Sequence, residues 1–163
     1  MLIKSIMTKK VVTLSPEDTI ASASMKMSSA KISGAPVTDE AGKLIGILSE
    51  ADILRSLKTN ERSLHLVYPS LSAISVTFRE QITEREASDA YKDIENLKVK
   101  EIMTKEVEVV REDEEIRDAI KKMISRGINR LPVVDGENKV IGIVTRGDIL
   151  RGIAAESNNN AKR

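Results

Sequence analysis

The sequence predicts an α+β protein made of two pseudo-symmetric repeats. Residues 3–57 and 99–153 align without a gap at an offset of 96 residues, and 23 of the 55 aligned positions are identical. Each copy contains short apolar runs typical of strands, and one stretch with apolar residues at helical spacing. Two copies are too few for a solenoid, so we expect the pair to pack face to face around a pseudo-two-fold axis.

Each repeat is predicted to fold as strand–helix–strand–strand–helix, with its helices on one face of a small sheet. An extended arm ends at Met7-Thr8 in the first copy and at Met103-Thr104 in the second. The predicted order is then a strand at 11–14 or 107–110, an amphipathic helix, a strand at 32–37 or 128–134, a second strand and a closing helix.

The amphipathic helices have recognisable start signals. In the first copy Ser15 is predicted to cap the helix, with Pro16 at its first position. The second copy is predicted to open its helix with the acidic residues 112–115, which suit the positive end of the helix dipole. The apolar faces are Ile20, Ala23 and Met27 in one copy, and Ile116, Ala119, Ile120 and Met123 in the other.

The predicted domains are repeat 1 at 1–57, an insert at 58–98, repeat 2 at 99–154 and a frayed polar tail at 155–163. Within the insert, Thr83 and Glu86 form a capping box that predicts a helix at about 83–97. Residues 71–78 alternate in part and favour a strand or an extended arm. The insert is too apolar for a passive linker, so we expect it to pack over its own module or across a dimer interface.

Composition excludes several kinds of active site. The chain has 163 residues, 40% of them hydrophobic and 31% charged, and a formal net charge of +1, which predicts a globular protein without a general attraction to nucleic acid or membranes. It has no cysteine and a single histidine, His65, so thiolate chemistry, a histidine-built metal site and a Ser/His triad are excluded. No apolar run is long enough for a membrane span and no signal segment opens the chain, so we expect a cytoplasmic protein.

The most informative motif occurs once in each repeat, where a strand runs into a helix. KLIGILSEADILR at 43–55 matches KVIGIVTRGDILR at 139–151, so Ser49 and Asp52 correspond to Thr145 and Asp148. A hydroxyl and a carboxylate three residues apart lie together at a helix N-terminus, where free backbone N–H groups also point. The same spacing is a capping box that needs no ligand. From the residues alone, a cap and a ligand-binding corner both remain open.

These doubled motifs resemble the CBS domain, named after cystathionine β-synthase, whose copies pair into Bateman modules. The resemblance rests on the IMT arms, on ISGAPV and INRLPVVD, and on GILSEAD and GIVTRGD, and it covers about two thirds of the chain. It implies two pseudo-symmetric β-α-β-β-α repeats packed as one module. It also implies a regulatory adenosine ligand in the clefts between the repeats: AMP, ADP, ATP or S-adenosylmethionine.

Carried over residue by residue, the resemblance implies a main nucleotide site and a weaker one. In the main site Asp148 takes the ribose hydroxyls and Arg130 meets the phosphates, although Arg130 as a solvated charge at a strand end is the alternative. The weaker site centres on Asp52 and has Gly34 where its twin has Arg130, so we expect it to prefer fewer phosphates or to stay empty. The main set is Thr145, Asp148, Arg130, Ile32, Ser33, Thr8 and Lys9; the weaker set is Ser49, Asp52, Ile128 and Asn129.

Three functions are open from the sequence. The resemblance favours a non-catalytic, nucleotide-sensing module with no metal and no cofactor besides its regulatory ligand. The alternative is a protein-interaction or assembly module whose repeats bind nothing and whose insert docks a partner. A nucleotide hydrolase is disfavoured, because Asp52 and Asp148 belong to separate repeats and no paired acid and base is visible. We expect at least a homodimer, a client protein that the sequence does not identify, and no membrane or nucleic-acid partner.

Overall fold

A computed structural model of the protein describes residues 1–57 and 84–160. In each repeat a helix, a two-stranded antiparallel sheet and a second helix follow one another, which confirms the predicted α+β class. The helices are α1 (Ile20–Ser29), α2 (Glu50–Ser56), α3 (Glu84–Ile94), α4 (Val99–Ile102), α5 (Ile116–Arg126) and α6 (Arg146–Asn160). The strands are β1 (Gly34–Thr38), β2 (Leu44–Ser49), β3 (Arg130–Val134) and β4 (Val140–Thr145), and a 3-10 turn spans Ile3–Ser5.

The two sheets repeat one another in register. β1 pairs with β2 so that Pro36 faces Ile47, and β3 pairs with β4 so that Pro132 faces Ile143. Both sheets have an irregularity before the last residue of their first strand. Because the sheets match at the offset of 96 residues, the two strand-to-helix motifs occupy equivalent places in the fold.

The predicted strands at 11–14 and 107–110 are wrong in extent. Only their last residues, Leu14 and Val110, bridge to the sheets. Both are buried, at 1% and 0% exposure, whereas the three residues before Leu14 are half-buried or exposed. The apolar pattern of these segments therefore marks one anchoring residue and not a full strand.

Both amphipathic helices begin later than predicted. α1 is capped by Thr19, whose Oγ1 accepts a hydrogen bond from Ser22 N at 3.1 Å, and not by Ser15 with Pro16 in its first turn. α5 has Glu115 at its N-cap position, so the acidic run at 112–115 precedes the helix. These segments form turns that receive the arm of the other repeat.

Each arm packs on the opposite repeat. Val99 N, which follows the insert, donates to Asp18 O in the first repeat at 2.8 Å, and Ile3 N donates to Glu114 O in the second repeat at 2.9 Å. The carbonyl groups just before α1 and α5 therefore accept hydrogen bonds from the arms and not from an additional helical turn. Each buried backbone N–H of an arm needs such an acceptor.

The same exchange completes the two hydrophobic cores. Val99 is fully buried in the core of the first repeat, and Ile3 is fully buried in the core of the second. Burying an aliphatic side chain of this size contributes ~1.5–3 kcal/mol. The predicted helical faces meet the same cores: Ile20, Ala23, Met27, Ala119 and Met123 are buried there, and Ile116 and Ile120 are partly buried.

Part of the predicted insert lies within the described residues. α3 buries Ala90 and Ile94, and Tyr91 packs against the core of the first repeat. The predicted strand at 71–78, His65 and Thr83 with its capping box lie outside the described residues.

The predicted frayed tail is wrong up to residue 160. α6 continues through Glu156 to Asn160. The preceding residues Ala154 and Ala155 are the strongest helix formers, and once a helix is nucleated each further residue adds a bond at little cost.

A methionine of each arm lies over a glycine of the opposite repeat. A Cβ on Gly46 would lie 2.5 Å from Met103 Sδ, and a Cβ on Gly142 would lie 2.7 Å from Met7 Sδ. The arm cannot simply move away, because Thr104 forms a bridge with the strand residue that follows Gly46. The two methionines therefore require glycine at these strand positions.

Gly46→Ala is expected to destabilise the protein by about 1–3 kcal/mol, the usual cost of overpacking a well-packed contact. For a chain of this size, that lowers Tm by roughly 2–12 °C. Thermal unfolding followed by circular dichroism measures the change.

Gly136→Ala is the matched control, because nothing lies within 4 Å of its Cβ position. It should be neutral or slightly stabilising, since alanine reduces the conformational entropy of the unfolded chain. Equal Tm values for the two variants would contradict the Met103 contact.

Candidate functional site

A cleft of about 820 Å³ lies between the two repeats. Its size falls within the ~300–1,000 Å³ of small-molecule sites. The first repeat contributes the end of β2 and most of α2, and the second contributes two segments around residues 104–108 and 126–130. The lining residues are Ser33, Ile47, Ser49, Glu50, Ala51, Asp52, Leu54, Arg55, Thr104, Glu106, Val107, Glu108, Arg126, Gly127, Ile128, Asn129 and Arg130.

Ser49 and Asp52 form a capping box at the start of α2. Asp52 Oδ2 accepts from Ser49 N and from Ser49 Oγ, both at 2.8 Å, and Asp52 N donates to Ser49 Oγ at 3.3 Å. Asp52 is only 8% exposed. The capping interpretation of the motif is therefore confirmed, and it leaves one carboxylate oxygen for other partners.

That second oxygen, Asp52 Oδ1, contacts residues that line the cleft. Arg55 Nη2 donates to it at 2.5 Å, and Thr104 Oγ1 lies 3.4 Å away. The Arg55 side chain is 69% exposed, so it can move away without disrupting the core. A ligand hydroxyl can then take its place, since an ionised carboxylate accepts several hydrogen bonds.

The second corner has the same construction. Asp148 Oδ2 accepts from Thr145 N at 2.8 Å and from Thr145 Oγ1 at 2.7 Å, and Asp148 Oδ1 accepts from Arg151. Asp148 is 7% exposed. Thr8, in the arm of the first repeat, donates its N–H to Ile143 O at 2.9 Å, two residues before this corner. The cap is again built into the fold, and one oxygen again faces an exposed arginine.

Arg130 reaches from β3 across to the first repeat. Its Nη1 donates to Gly34 O at 2.7 Å, its Nη2 to Ser33 Oγ at 2.5 Å and its Nε to Asn129 Oδ1 at 3.1 Å. Gly34 is the equivalent residue of the other repeat, and a Cβ there would lie 2.9 Å from Arg130 Nη1. A side chain at position 34 would therefore have to displace the guanidinium of Arg130, and its Cβ would also lie 2.9 Å from Leu48 O.

The guanidinium of Arg130 remains available to an anion. Burial lowers the pKa of Arg130 from its ordinary value, and the carboxylate of Glu50 opposes that shift. Within residues 1–57 and 84–160, its hydrogen-bond acceptors are all uncharged and it forms no ion pair. A planar, charged fork of this kind binds phosphate or carboxylate groups well.

The structure brings the predicted weaker set together. Ser49, Asp52, Ile128 and Asn129 all line the cleft, and two members of the main set, Ser33 and Arg130, line it as well. The expectation that this site lacks a forked cation is therefore wrong. Gly34 carries no side chain, and the open space above it lets the arginine reach the Asp52 cleft from the other repeat.

Three of the remaining residues of the main set belong to the second corner. Thr145 and Asp148 form it, and Thr8 pairs beside it. Ile32 is partly buried against the core of the first repeat, and Lys9 is exposed. In the Asp52 cleft a lining residue next to the arm is Glu106, and its equivalent in the first repeat is Lys10, the neighbour of Lys9.

Several cleft residues were missed by sequence reasoning, among them Glu50, Arg55, Glu106 and Arg126. A signal was present, because Glu50 aligns with Arg146 and Glu106 aligns with Lys10, each with opposite charge. The alignment alone does not tell which of the many differences between the repeats face a cleft.

A metal-binding cluster and a membrane-spanning helix are both absent from the described part of the chain. Between residues 1 and 57 and between 84 and 160, no three acidic or histidine side chains are grouped closely enough to hold a metal ion. The helices in these ranges are all too short or too polar to cross a membrane.

Known proteins resemble this chain over nearly its whole length. An uncharacterised protein of Methanocaldococcus jannaschii is 41% identical over 154 residues, which are 94% of this chain and 91% of that protein. Inosine-5'-monophosphate dehydrogenase of the same organism is 33% identical over 146 residues, or 90% of this chain, but the chain spans only 22% of that enzyme.

Solved structures show the same fold. The CBS domain pair of protein MJ0100, in complex with 5'-methylthioadenosine and S-adenosyl-L-methionine, has a TM-score of 0.66 and 27% identity, and the match covers 94% of this chain and 99% of that one. CBSX2 of Arabidopsis thaliana, in complex with AMP, has a TM-score of 0.70 and 23% identity, with 96% and 98% covered.

The family model of the CBS domain matches the chain twice, at residues 3–59 and 99–155. These two matches coincide with the two repeats whose sheets, corners and arms repeat at an offset of 96 residues. The chain therefore belongs to the CBS domain family, and its two domains are paired as a Bateman module.

Proposed function

We propose that this protein is a regulatory module that binds adenosine compounds between its two CBS domains and catalyses no reaction itself. The observation that carries the proposal is the Asp52 cleft, in which an acidic corner of one repeat and the guanidinium of Arg130 from the other line the same space. A ligand with a diol at one end and an acidic group at the other suits this arrangement.

Each part of an adenosine compound has a counterpart in the cleft. Asp52 Oδ1 accepts from the ribose hydroxyls after Arg55 moves aside. Ile47, Val107 and Ile128 offer aliphatic surface to the adenine ring, and among residues 1–57 and 84–160 no aromatic side chain lines the cleft. Arg130 donates to the acidic group of the ligand.

The ligands of similar proteins support this choice. Those in the MJ0100 and CBSX2 complexes all contain adenosine and differ in the group at the 5' position. Adenosine is therefore the shared chemistry, and the 5' group is where individual proteins differ.

A ligand held by both repeats also explains how such a module regulates. Since the cleft is lined from both sides, a ligand favours the arrangement of the repeats that fits it best. That shift is available to a client protein, which remains to be identified.

An adenosine compound at about 100 times its Kd should stabilise the protein by roughly 2.7 kcal/mol. For a chain of this size, the melting temperature should rise by roughly 5–11 °C. Differential scanning fluorimetry with AMP, ADP, ATP, S-adenosylmethionine and 5'-methylthioadenosine measures it.

The control is the same titration with the Asp52→Asn, Asp148→Asn double variant, which retains the shape of both caps but loses both charges. Absence of a shift with every ligand would contradict nucleotide binding and favour the assembly function. Release of phosphate from ATP would instead indicate a hydrolase.

Asp52→Asn should weaken ligand binding in the Asp52 cleft by roughly 10- to 150-fold, because a hydrogen bond to a charged group contributes about 1.5–3 kcal/mol. Binding at the Asp148 corner should be little affected. Isothermal titration calorimetry shows this as the loss of one binding event and retention of the other.

Arg130→Ala should weaken binding of AMP more than binding of adenosine, because only the nucleotide presents a phosphate to the guanidinium. Arg117→Ala is the matched control, since its side chain is 72% exposed on α5 and pairs with Glu115 away from the cleft. An equal loss for AMP and adenosine in Arg130→Ala would mean that Arg130 has no phosphate-binding role.

One observation favours the alternative function in assembly. Leu54 on α2 and Leu150 on α6 are equivalent residues, and they are 66% and 67% exposed. We propose that a second copy of the chain covers this leucine surface and makes the protein a homodimer.

Leu150→Glu is expected to convert this dimer to a monomer, since a charged side chain cannot be buried unpaired in an apolar interface. Sedimentation velocity measures the change. Met25→Glu, at a residue that is 72% exposed on α1, is the control, and a wild-type protein that is already monomeric would refute the dimer.

A further inference from the structure

The two pseudo-symmetric corners differ in charge. The Asp52 cleft is lined by four acidic and three basic side chains: Glu50, Asp52, Glu106, Glu108, Arg55, Arg126 and Arg130. The charged residues assigned to the Asp148 corner are those that lie 96 positions away in the sequence from residues lining the Asp52 cleft. They are Arg146, Asp148, Arg151, Lys10 and Lys31, so one acidic side chain stands among four basic ones.

The ion pairs of the Asp52 cleft do not neutralise all of its carboxylates. Arg55 is bound to Asp52, and Arg126 Nε lies 2.9 Å from Glu108 Oε1. Burial lowers the pKa of Arg130, and the nearby carboxylate of Glu50 partly opposes that shift. In the described part of the chain Glu106 forms no ion pair, so the surplus charge of this cleft is negative.

Most basic side chains assigned to the Asp148 corner have no carboxylate partner in the described part of the chain. Arg151 is bound to Asp148. Lys10, Lys31 and Arg146 form no ion pair with any residue in 1–57 or 84–160, and Arg146 Nη2 donates only to a neutral acceptor, Ile128 O, at 3.0 Å. Three cations are thus free to meet an anionic ligand.

The backbone at Lys31 supports a role for its charge. Lys31 lies two residues beyond the end of α1 and has a φ of +55°, in the left-handed region, and the equivalent residue is Gly127 with a φ of +65°. Glycine adopts this conformation without cost, whereas lysine does not. A lysine at this position accepts strain, and it is the equivalent of Gly127, which lines the Asp52 cleft.

We infer that the two clefts bind adenosine compounds of different charge at the same time. The Asp148 corner takes a nucleoside di- or triphosphate. The Asp52 cleft takes an adenosine compound whose 5' group carries a carboxylate for Arg130 but no net negative charge, as in S-adenosylmethionine. This inference rests on the proposed function and specifies the ligand of each cleft.

Titration calorimetry with ATP and with S-adenosylmethionine tests the inference, each ligand being titrated alone and again with the other at saturation. We expect one site for each ligand and unchanged affinity in the presence of the other. Competition between the two, or binding of only one of them, overturns the inference but leaves the proposed function standing. Binding of neither ligand overturns the inference, and it overturns the proposed function as well if AMP, ADP and 5'-methylthioadenosine also fail to bind.

Two variants exchange residues between the repeats and assign each ligand to its cleft. Lys31→Gly introduces the residue found at the equivalent position, Gly127. It should weaken ATP binding about tenfold, equivalent to about 1.4 kcal/mol. It should neither change S-adenosylmethionine binding nor lower Tm. Glu106→Lys introduces the charge of the twin and should weaken S-adenosylmethionine about tenfold without weakening ATP.

Lys121→Ala is the control, because it removes one positive charge on α5 outside both linings. If this variant weakens ATP binding as much as Lys31→Gly does, the net charge of the whole protein governs binding and not the charge at the Asp148 corner. The inference then fails. It also fails if Glu106→Lys leaves S-adenosylmethionine binding intact.

Discussion

The exchange of arms is the constraint on which the rest of this module depends. Val99 completes the core of the first repeat and Ile3 completes that of the second. The hydrogen bonds of the arms set where α1 and α5 begin, and the methionines of the arms fix the packing against Gly46 and Gly142. The clefts are lined by residues next to these arms, so their shape follows from the same contacts.

Each corner uses a single carboxylate for two purposes. Oδ2 of Asp52 closes the capping box of α2, whereas Oδ1 faces the cleft and is held by an exposed arginine. Asp148 divides its oxygens in the same way. A corner of this kind is ordered without a ligand, so binding of a ligand hydroxyl there costs little conformational entropy.

The sequence predicted the fold well, because the fold depends on a repeated pattern. Identical residues at an offset of 96 defined the two units, and apolar residues at helical spacing identified α1 and α5. The helix starts were predicted wrongly at Ser15, since a cap signal describes local bonding and the decisive hydrogen bonds come from a distant arm. The tail was mispredicted because its polar residues suggested fraying, although the helix ahead of them continues.

The candidate site was predictable in part for the same reason. The motif identified Ser49, Asp52, Thr145 and Asp148, whose geometry depends on neighbours three residues away. Arg130 was predicted to belong to the Asp148 site, but it lines the Asp52 cleft. The sequence does not show this, because the arginine reaches the other repeat only where Gly34 has no side chain. The charge difference between the clefts requires knowledge of which equivalent positions face them, and the pairing of the repeats supplies that.

The pairing of Gly34 with Arg130 has a consequence for how such a protein can arise. A symmetric dimer of single repeats must carry the same residue on both sides of its axis. Two arginines there would compete for one space and repel each other, and two glycines would leave the clefts without this guanidinium. Only after two copies are joined in one gene can each half mutate separately and the axis hold one residue of each kind. Two repeats in one chain can thus hold a single arginine beside the axis, which a symmetric dimer of single repeats cannot do.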